Sequence, residues 1–337
     1  MKYYIVFDLE WNQSPDGREK TVPELPFEII ELGAVKLDEE FQMVDEFHRL
    51  IRPRVYRQLH SIISEVTHMD MRQLKEQGED FPDAARAFLQ WCGDEAVYCT
   101  WGAMDLLELQ RNLAYYGVKS PFPMPLFYYD VQKLYGLFCM NGEKPSLDKA
   151  VEELGLLENR PFHRALDDAY YTGQVLACLA HEPGEDAILV YKSIDYYRLP
   201  ADKKEEIRVV FPGYSKFVSR VFDTKEEAME DRDVTEMQCY LCGRTLRKKV
   251  RWFTPNQKIY YGLAVCPEHG YLKGKLRVKR AEGERIFMIR TMKLTDESGA
   301  EEILLRQAEA HRRRNERNKA KRKRQWAERR KAGRKVN

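Results

Sequence analysis

The chain has no hydrophobic run near the ~18 residues that a membrane-spanning helix needs, and no charged-then-apolar leader. We therefore expect neither a membrane span nor a secretory signal. Cysteine is scarce as well: the 337 residues include seven cysteines, an odd number. Four are scattered and three cluster, which argues against a disulfide framework and is typical of the reducing cytoplasm. The sequence also contains no internal repeat.

The net charge of +2 conceals a strong asymmetry along the chain. Residues 1–182 carry 18 Lys and Arg against 31 Asp and Glu, a net charge of −13. Residues 306–337 carry 15 against 3, a net charge of +12. An acidic body suits a site that collects cations, and a basic tail suits a polyanionic partner.

The stretch from Tyr3 to Asn12 is the strongest signal in the first part of the chain. Five aromatic and branched apolar residues run into Asp8-Leu9-Glu10, which predicts a buried central strand with two acids at its end. Residues two apart on a strand point to the same face, so Asp8 and Glu10 would lie side by side. A hard divalent cation would relieve their repulsion, while an exposed strand end in solvent is the alternative.

Strands come first and then alternate with helices up to about residue 180, which predicts an α/β domain. A hinge is expected at His181-Glu-Pro-Gly184, so the first domain is assigned to residues 1–182. A linker or small α+β segment (183–235), a cysteine-bearing region (236–300) and a basic tail (301–337) would follow. The tail lacks a periodic apolar face and is predicted to be helical on a partner and otherwise disordered.

Three more side chains are candidates for the same site. Asp105 follows a strand and a Gly turn, in the first turn of a predicted helix, where favourable interaction with the helix dipole is an alternative role. In a helix predicted from Phe162 to Leu179, Asp168 falls on the inward face and Asp167 on the solvent face. His163 is predicted to lie on the loop that enters this helix.

Three motifs, in this order, resemble those of the DEDDh 3′–5′ exonucleases of the DnaQ-like superfamily: Phe7-Asp8-Leu9-Glu10, Trp101-Gly102-x-x-Asp105 and His163-x-x-x-x-Asp168. The stretches 28–35, 64–69 and 146–150 are also similar to family sequences. Trp11 and the Thr before Trp101 resemble the KapD-like and ERI-like branch, which looks like a group of RNA-trimming enzymes. The resemblance covers residues 1–182 and implies an RNase H-like α/β fold, a mixed sheet flanked by helices.

This resemblance implies a metal-dependent hydrolase. Asp8, Glu10, Asp105 and Asp168 would bind two Mg²⁺ or Mn²⁺ ions, one of which would lower the pKa of a water molecule. His163 would take the proton of that water as the general base, and a nucleoside 5′-monophosphate would leave from the 3′ end. The resemblance to the KapD-like and ERI-like branch implies that RNA is the preferred substrate. The alternatives are a DNA exonuclease, a non-catalytic nucleic-acid-binding or regulatory module, and a partner-binding scaffold.

The residues expected to contact the substrate are Leu9, Trp11, Thr67, His68 and Trp101. The chain has Thr67-His68 where many relatives have Thr-Gly, in the segment that packs on the terminal nucleotide in the family. His68 would either alter substrate preference or be a solvated helix residue. Trp11 and Trp101 would either stack on bases or belong to the core.

The clustered cysteines predict a second, independent metal site. Cys239-x-x-Cys242 and Cys266-x-x-His269 can close a tetrahedral Zn²⁺ shell, and the hairpin expected between them resembles a zinc ribbon. Four ligands leave no open position, so the zinc would be structural; cysteines that merely pack are the alternative. Basic residues interleave here with Trp252 and Phe253, as in nucleic-acid-binding surfaces.

The sequence thus predicts a cytoplasmic exonuclease with a catalytic domain, a zinc-ribbon-like small domain and a basic tail. Its partner would be RNA, single-stranded or with a 3′ overhang, or DNA. The ribosome or another nucleoprotein is a candidate partner of the tail.

Overall fold

The computed structural model describes residues 2–157, 160–181, 190–256 and 258–333 and divides into two compact units, Met1–Arg198 and Leu199–Asn337. The expected boundary between residues 182 and 183 lies outside the described residues. Among those described, none of the helices combines the length and apolar character of a membrane span.

The first unit is built on a mixed sheet, as the sequence predicts. Its strands are β1 (Tyr3–Asn12), β2 (Glu28–Leu37), β3 (Met43–Leu50), β4 (Ala96–Thr100), β5 (Phe127–Asp130) and β6 (Ser193–Ile194), in the order β3-β2-β1-β4-β5-β6. β1 pairs antiparallel with β2 and parallel with β4, and β4 pairs parallel with β5. β2 also pairs antiparallel with β3, so the first three strands form a meander, and strands open the fold as the sequence predicts. β1 is therefore a central strand, paired along both of its edges.

Helices cover both faces of this sheet. They are α1 (Ser61–Thr67), α2 (Met71–Gln77), α3 (Phe81–Cys92), α4 (Met104–Tyr115), α5 (Val131–Phe138), α6 (Leu147–Glu153) and α7 (Ala165–His181). Alternate residues of β1 enter two cores: Ile5 and Phe7 pack with α3 and α4, whereas Tyr4 and Val6 pack with α5, α6 and α7. A strand that is buried on both faces needs a continuous apolar run, which the sequence supplies.

The second unit contains an antiparallel sheet. Its strands are β7 (Ile207–Phe211), β8 (Tyr214–Val218), β9 (Arg247–Phe253), β10 (Ile259–Cys266), β11 (Gly270–Arg280) and β12 (Ile286–Leu294), in the order β7-β8-β12-β11-β10-β9. Two short helices, α8 (Lys225–Glu230) and α9 (Arg232–Thr235), precede β9. Strands β7 and β8 fall in the segment expected to be a linker or a small α+β segment, and β8 pairs with β12. The cysteine-bearing hairpin therefore forms one edge of a larger sheet. Strand β12 pairs with β11 along one edge and with β8 along the other.

A long helix, α10 (Glu297–Gly333), follows the sheet. It begins within the region assigned to the zinc ribbon and continues through the basic tail. Ala300 and Ile303 are buried against Val250 and Leu263 of β9 and β10. These two apolar side chains anchor the start of the helix on the sheet, so its first turns are helical within the chain itself.

Candidate active site and zinc-binding cluster

Three carboxylates converge at the end of β1. Asp8 and Glu10 lie two residues apart on this strand, and Asp168 projects from the first turn of α7. One oxygen of each lies within 4.8 Å of the others, in an arrangement that can hold a metal ion. The pairing of β1 with β2 shifts register directly after Glu10, so the strand is irregular where its acids meet α7.

Asp105 reaches the same region through a tight turn after β4. The Thr100 hydroxyl donates to Gly102 O at 2.6 Å, and Gly102 has φ of +101°, a conformation that glycine adopts at little cost. α4 then starts at Met104 and places Asp105 in its first turn. Asp105 Oδ1 accepts a hydrogen bond from the Leu9 N–H at 3.3 Å, between Asp8 and Glu10 in the chain.

His163 lies on the loop before α7, where the sequence places it. The helix begins at Ala165, later than the expected Phe162, and His163 has φ of +67°. Its backbone N–H donates to Asp168 Oδ2 at 3.1 Å, and its side chain is exposed. Asp167 does not stay free in solvent: its carboxylate accepts from Arg160 at 3.2 Å.

Burial and mutual repulsion disfavour charge on the clustered acids. Burial is the larger cause in each case: it raises the pKa of Glu10 to about 8 and the pKa values of Asp105 and Asp168 to about 7. The pKa of Asp8 is raised well above its usual value by burial and by the neighbouring charges of Asp105 and Asp168. Four carboxylates in this state require a cation before all of them can ionise.

A buried ion network behind the site escaped the sequence analysis. The Glu31 carboxylate accepts a bidentate contact from Arg164, with distances of 2.7 Å to Nη2 and 3.1 Å to Nε, and lies 2.6 Å from His48 Nε2. Burial opposes its ionisation, but these hydrogen bonds lower the pKa of Glu31. Because Arg164 follows His163 directly, the network ties the loop before α7 to β2. The signal available in the sequence was Glu31, which lies in the stretch 28–35 that is similar to family sequences.

A second network was also missed. Asn12 is fully buried; its side-chain amide donates to Tyr56 O and Gln58 O at 3.0 and 2.9 Å, and its carbonyl accepts from the His60 N–H at 3.0 Å. It joins the end of β1 to the segment that enters α1. An Asn at the end of the predicted buried strand was the available signal.

The expected substrate-contact residues lie in different environments. Leu9 is buried in the core and Thr67 is buried at the end of α1, where its hydroxyl donates to Ile63 O at 2.7 Å. His68 is exposed and ends α1 in the left-handed conformation, with φ of +55°. Trp11 and Trp101 are half-buried. Among the described residues, none accepts a hydrogen bond from the buried Trp101 Nε1.

The second unit brings together Cys239, Cys242, Cys266 and His269. The Cys266 Sγ lies 3.5 Å from His269 Nδ1 and 3.7 Å from Cys242 Sγ, and Cys239 Sγ lies 3.6 Å from His269 Nδ1. A tetrahedral zinc with Zn–S of about 2.3 Å and Zn–N of about 2.0 Å has edges of roughly 3.5–3.8 Å. Burial raises the pKa of Cys266, but hydrogen bonds from His269 and nearby backbone outweigh it and lower the pKa to about 6.

The first unit defines the class of protein. The sequence profile of the Exonuclease family (RNase_T) matches residues 5–176, and the three motifs lie at the carboxylate cluster within that range. The chain belongs to this family of exonucleases and is of its DEDDh, 3′–5′ type.

Two curated relatives show which exonuclease-containing proteins the chain resembles in sequence. It is 30% identical over 167 residues to the probable 3′–5′ exonuclease KapD of Bacillus subtilis, which covers 49% of this chain and 78% of KapD. It is also 34% identical over 151 residues to the PolC-type DNA polymerase III of Thermotoga petrophila, covering 44% of this chain and 10% of that protein. Among solved structures, the nuclease domain of 3′hExo matches with a TM-score of 0.46 and 23% identity, over 55% of this chain and 94% of that one.

Proposed function

We propose that this exonuclease removes nucleotides from the 3′ end of single-stranded nucleic acid, prefers RNA, and releases nucleoside 5′-monophosphates. The observation that carries the proposal is the convergence of Asp8, Glu10 and Asp168 within 4.8 Å. The RNA preference rests on Trp11 and on Thr100-Trp101-Gly102, which resemble the RNA-trimming branch. A preference for single-stranded DNA is the alternative that the experiment below tests.

The donor set fits Mg²⁺ or Mn²⁺. The donors are carboxylate oxygens, which hard cations prefer, and their pKa values are raised by burial and then by the repulsion among them. Asp168 Oδ1 is buried and has no hydrogen-bond partner among the described residues, so one ligand position is available there. Asp8, Glu10, Asp105 and Asp168 would hold the ions, which when bound stabilise charge on the reacting phosphodiester and acidify a water molecule.

The other roles belong to the side chains around the cluster. His163, exposed beside Asp168, would accept the proton of the attacking water. The half-buried rings of Trp11 and Trp101 would contact the terminal bases, and His68 would extend from α1 toward the strand. Thr67 and Leu9, both buried, would contribute through the backbone they hold in place.

The zinc-binding cluster would be structural. Its four donor atoms lie within 4.8 Å of one another, as the corners of a tetrahedral shell would, and four protein ligands would leave no open position for substrate. One zinc per chain is expected by mass spectrometry of the native protein, and Cys242→Ser should abolish it. Cys139→Ser, outside the cluster, should retain the metal. Because zinc binding requires reduced thiols, we retain the expectation of a cytoplasmic setting, with nucleic acid or a nucleoprotein as partner of the basic tail.

Adjacent carboxylates on α7 provide a matched test. Asp168→Asn should reduce hydrolysis of 3′- and 5′-labelled RNA and DNA strands by at least about 10³-fold, near 4 kcal/mol of barrier. Asp167→Asn, which loses only the contact to Arg160, should stay within about threefold. Time courses with Mg²⁺ or Mn²⁺ would give direction, and chromatography would identify the mononucleotide. Equal activity of the two variants, or products shortened from the 5′ end, would contradict the proposal.

A further inference from the structure

One face of α10 is apolar at the start of the helix and basic farther along. Positions 300, 303, 307, 310, 314 and 317 recur every three or four residues and so lie on one stripe of the helix. At its start this stripe is apolar, and Ala300 and Ile303 pack on the sheet beside Val250, Leu263 and Tyr271. The helix contacts β11, β10 and β9. β9 is the edge strand of the sheet, so the later turns of the helix extend past that edge.

The stripe becomes basic where it leaves the sheet. A groove of about 790 Å³ lies between β9 and the helix, and its cations come from both walls. Lys249 and Arg251 lie on the strand, and Arg314 and Arg317 lie on the helix. Among the described residues, none that lines this groove carries a carboxylate. Arg313, which also lines it, pairs with Glu309 at 3.9 Å, whereas no described ion pair joins Arg251, Arg314 or Arg317 to an acid.

The strand cations alone would have a simpler explanation. Lys and Arg on an edge strand discourage pairing with a second sheet. That explanation does not extend to Arg314 and Arg317, which are on a helix and are exposed. Two separate elements instead point positive charge into one cleft, which costs repulsion unless a polyanion fills it.

We propose that the groove between β9 and α10 binds a single nucleic-acid strand by its phosphate backbone. Arg251, Arg314 and Arg317 would contact phosphates, and Lys249, whose amine donates to the Tyr271 hydroxyl at 3.0 Å, would add a fourth positive charge. Phe253 also lines the groove and is half-buried, so its ring offers an unpaired base a surface for stacking. The choice of nucleic acid as the polyanion rests on the proposed function.

The same helix supplies a control with matched charge. Arg312 and Lys319 are exposed on the opposite face and do not line the groove. Arg314→Glu/Arg317→Glu and Arg312→Glu/Lys319→Glu therefore change the net charge equally. Both pairs would be made in the full chain carrying Asp168→Asn, which prevents cleavage during the measurement. Fluorescence anisotropy with a labelled single strand of roughly 20 nucleotides would give the affinity at several salt concentrations.

The groove pair should weaken binding by about tenfold or more at 0.1 M salt and flatten the salt dependence by about 1.4 logarithmic units per decade, for two lost contacts. The control pair should weaken it by less than about threefold. Equal losses for the two pairs would overturn the proposal, as would competition by polyglutamate as strong as that by unlabelled strand.

Hydrolysis distinguishes this inference from the proposed function. With Asp168 intact, both pairs should cleave a dinucleotide at the rate of the unmodified chain, because the substituted residues belong to the second unit and the carboxylate cluster belongs to the first. If no strand is cleaved under any condition, the proposed function fails, yet a selective loss of binding in the groove pair would still support the groove. Normal cleavage with unchanged binding would overturn the groove alone.

Discussion

At the scale of the residue, the site concentrates negative charge that the fold alone does not neutralise. Asp8 and Glu10 come from one strand, and Asp105 and Asp168 come from the first turns of two helices. The Arg164 guanidinium, whose charge acts on Glu10, is paired with Glu31. The chain therefore holds its acids in a destabilised state, which a bound divalent cation would relieve.

Glu10→Gln tests whether the unneutralised Glu10 carboxylate makes the stability of the protein depend on pH. Because the folded-state pKa of Glu10 is raised from 4.5 to about 8, its protonated form favours folding, and this stabilisation is lost as the pH rises toward 8. Without added Mg²⁺ or Mn²⁺, the midpoint of thermal unfolding should fall from pH 5 to pH 8. Glu10→Gln should raise it at pH 8 by about 2–4 °C. Glu46→Gln, on the exposed part of β3, should not; equal midpoints for both variants would refute the idea.

Glu31→Gln tests the network behind the site. It removes the buried carboxylate that Arg164 and His48 share, and should cost about 2–4 kcal/mol of unfolding free energy, since one partner of a largely buried pair is left without its counter-charge. We expect kcat to fall more than KM rises, because the loop that carries His163 loses its anchor. Glu46→Gln serves again as control, since Glu46 pairs with Arg160 at 3.5 Å near solvent. A normal kcat in a destabilised Glu31→Gln protein would show that the network is structural only.

At the scale of the element, the approach of α7 to β2 sets the geometry of the site. A Cβ on Gly33 would lie 2.0 Å from the Leu166 backbone nitrogen, so only glycine allows the first turn of α7 to lie this close. That turn carries Asp168, and the preceding loop carries His163. Farther along α7, Gly173 also faces β2, but with more space than Gly33 has. A Cβ added to Gly173 would lie 3.0 Å from the Val35 side-chain atom Cγ2.

The two glycines predict graded effects. Gly33→Ala must displace backbone, so we expect a loss of more than about 3 kcal/mol of unfolding free energy and of nearly all activity. Gly173→Ala must displace only a methyl group and gains helix propensity of about 1 kcal/mol, so it should be near neutral. Denaturant unfolding and single-turnover hydrolysis would measure both. Similar values for the two variants would contradict the role of Gly33.

At the scale of the whole molecule, the first unit contains the entire carboxylate cluster and its own hydrophobic cores on both faces of the sheet. Its end lies beyond α7. Asp195 accepts from Gln110 at 3.0 Å, and Arg198 donates to Pro123 O at 2.8 Å. A chain ending at Ala180 would lose β6 and both of these contacts, whereas one ending at Arg198 keeps them.

Residues 1–198 alone should therefore remain an exonuclease. We expect hydrolysis of a dinucleotide within about threefold of the full chain, and weaker, less salt-dependent binding of long strands because the basic second unit is absent. Circular dichroism would verify folding, and the fragment 1–180 should be less stable. A folded but inactive 1–198 fragment would show that the second unit completes the site.

The sequence by itself determined the fold class and the candidate site residues. The apolar run before Asp8 defines a buried strand, and three short motifs in order define the family, because each depends on local spacing that a chain preserves when it folds. The cysteine and histidine spacing likewise predicted that Cys239, Cys242, Cys266 and His269 come together. These features are local, and local patterns can be recognised in a linear sequence.

Only the tertiary structure decided which distant groups meet. Glu31 and Arg164 are separated by 133 positions, and their pairing depends on the contact of α7 with β2 at Gly33. The pairing of β8 with β12 makes the segment expected to be a linker or a small α+β segment part of a larger sheet, and the packing of Ala300 and Ile303 anchors the start of the basic tail. Each of these contacts joins segments far apart in the chain, and its free energy comes from burial and charge pairing that appear only when both partners are in place.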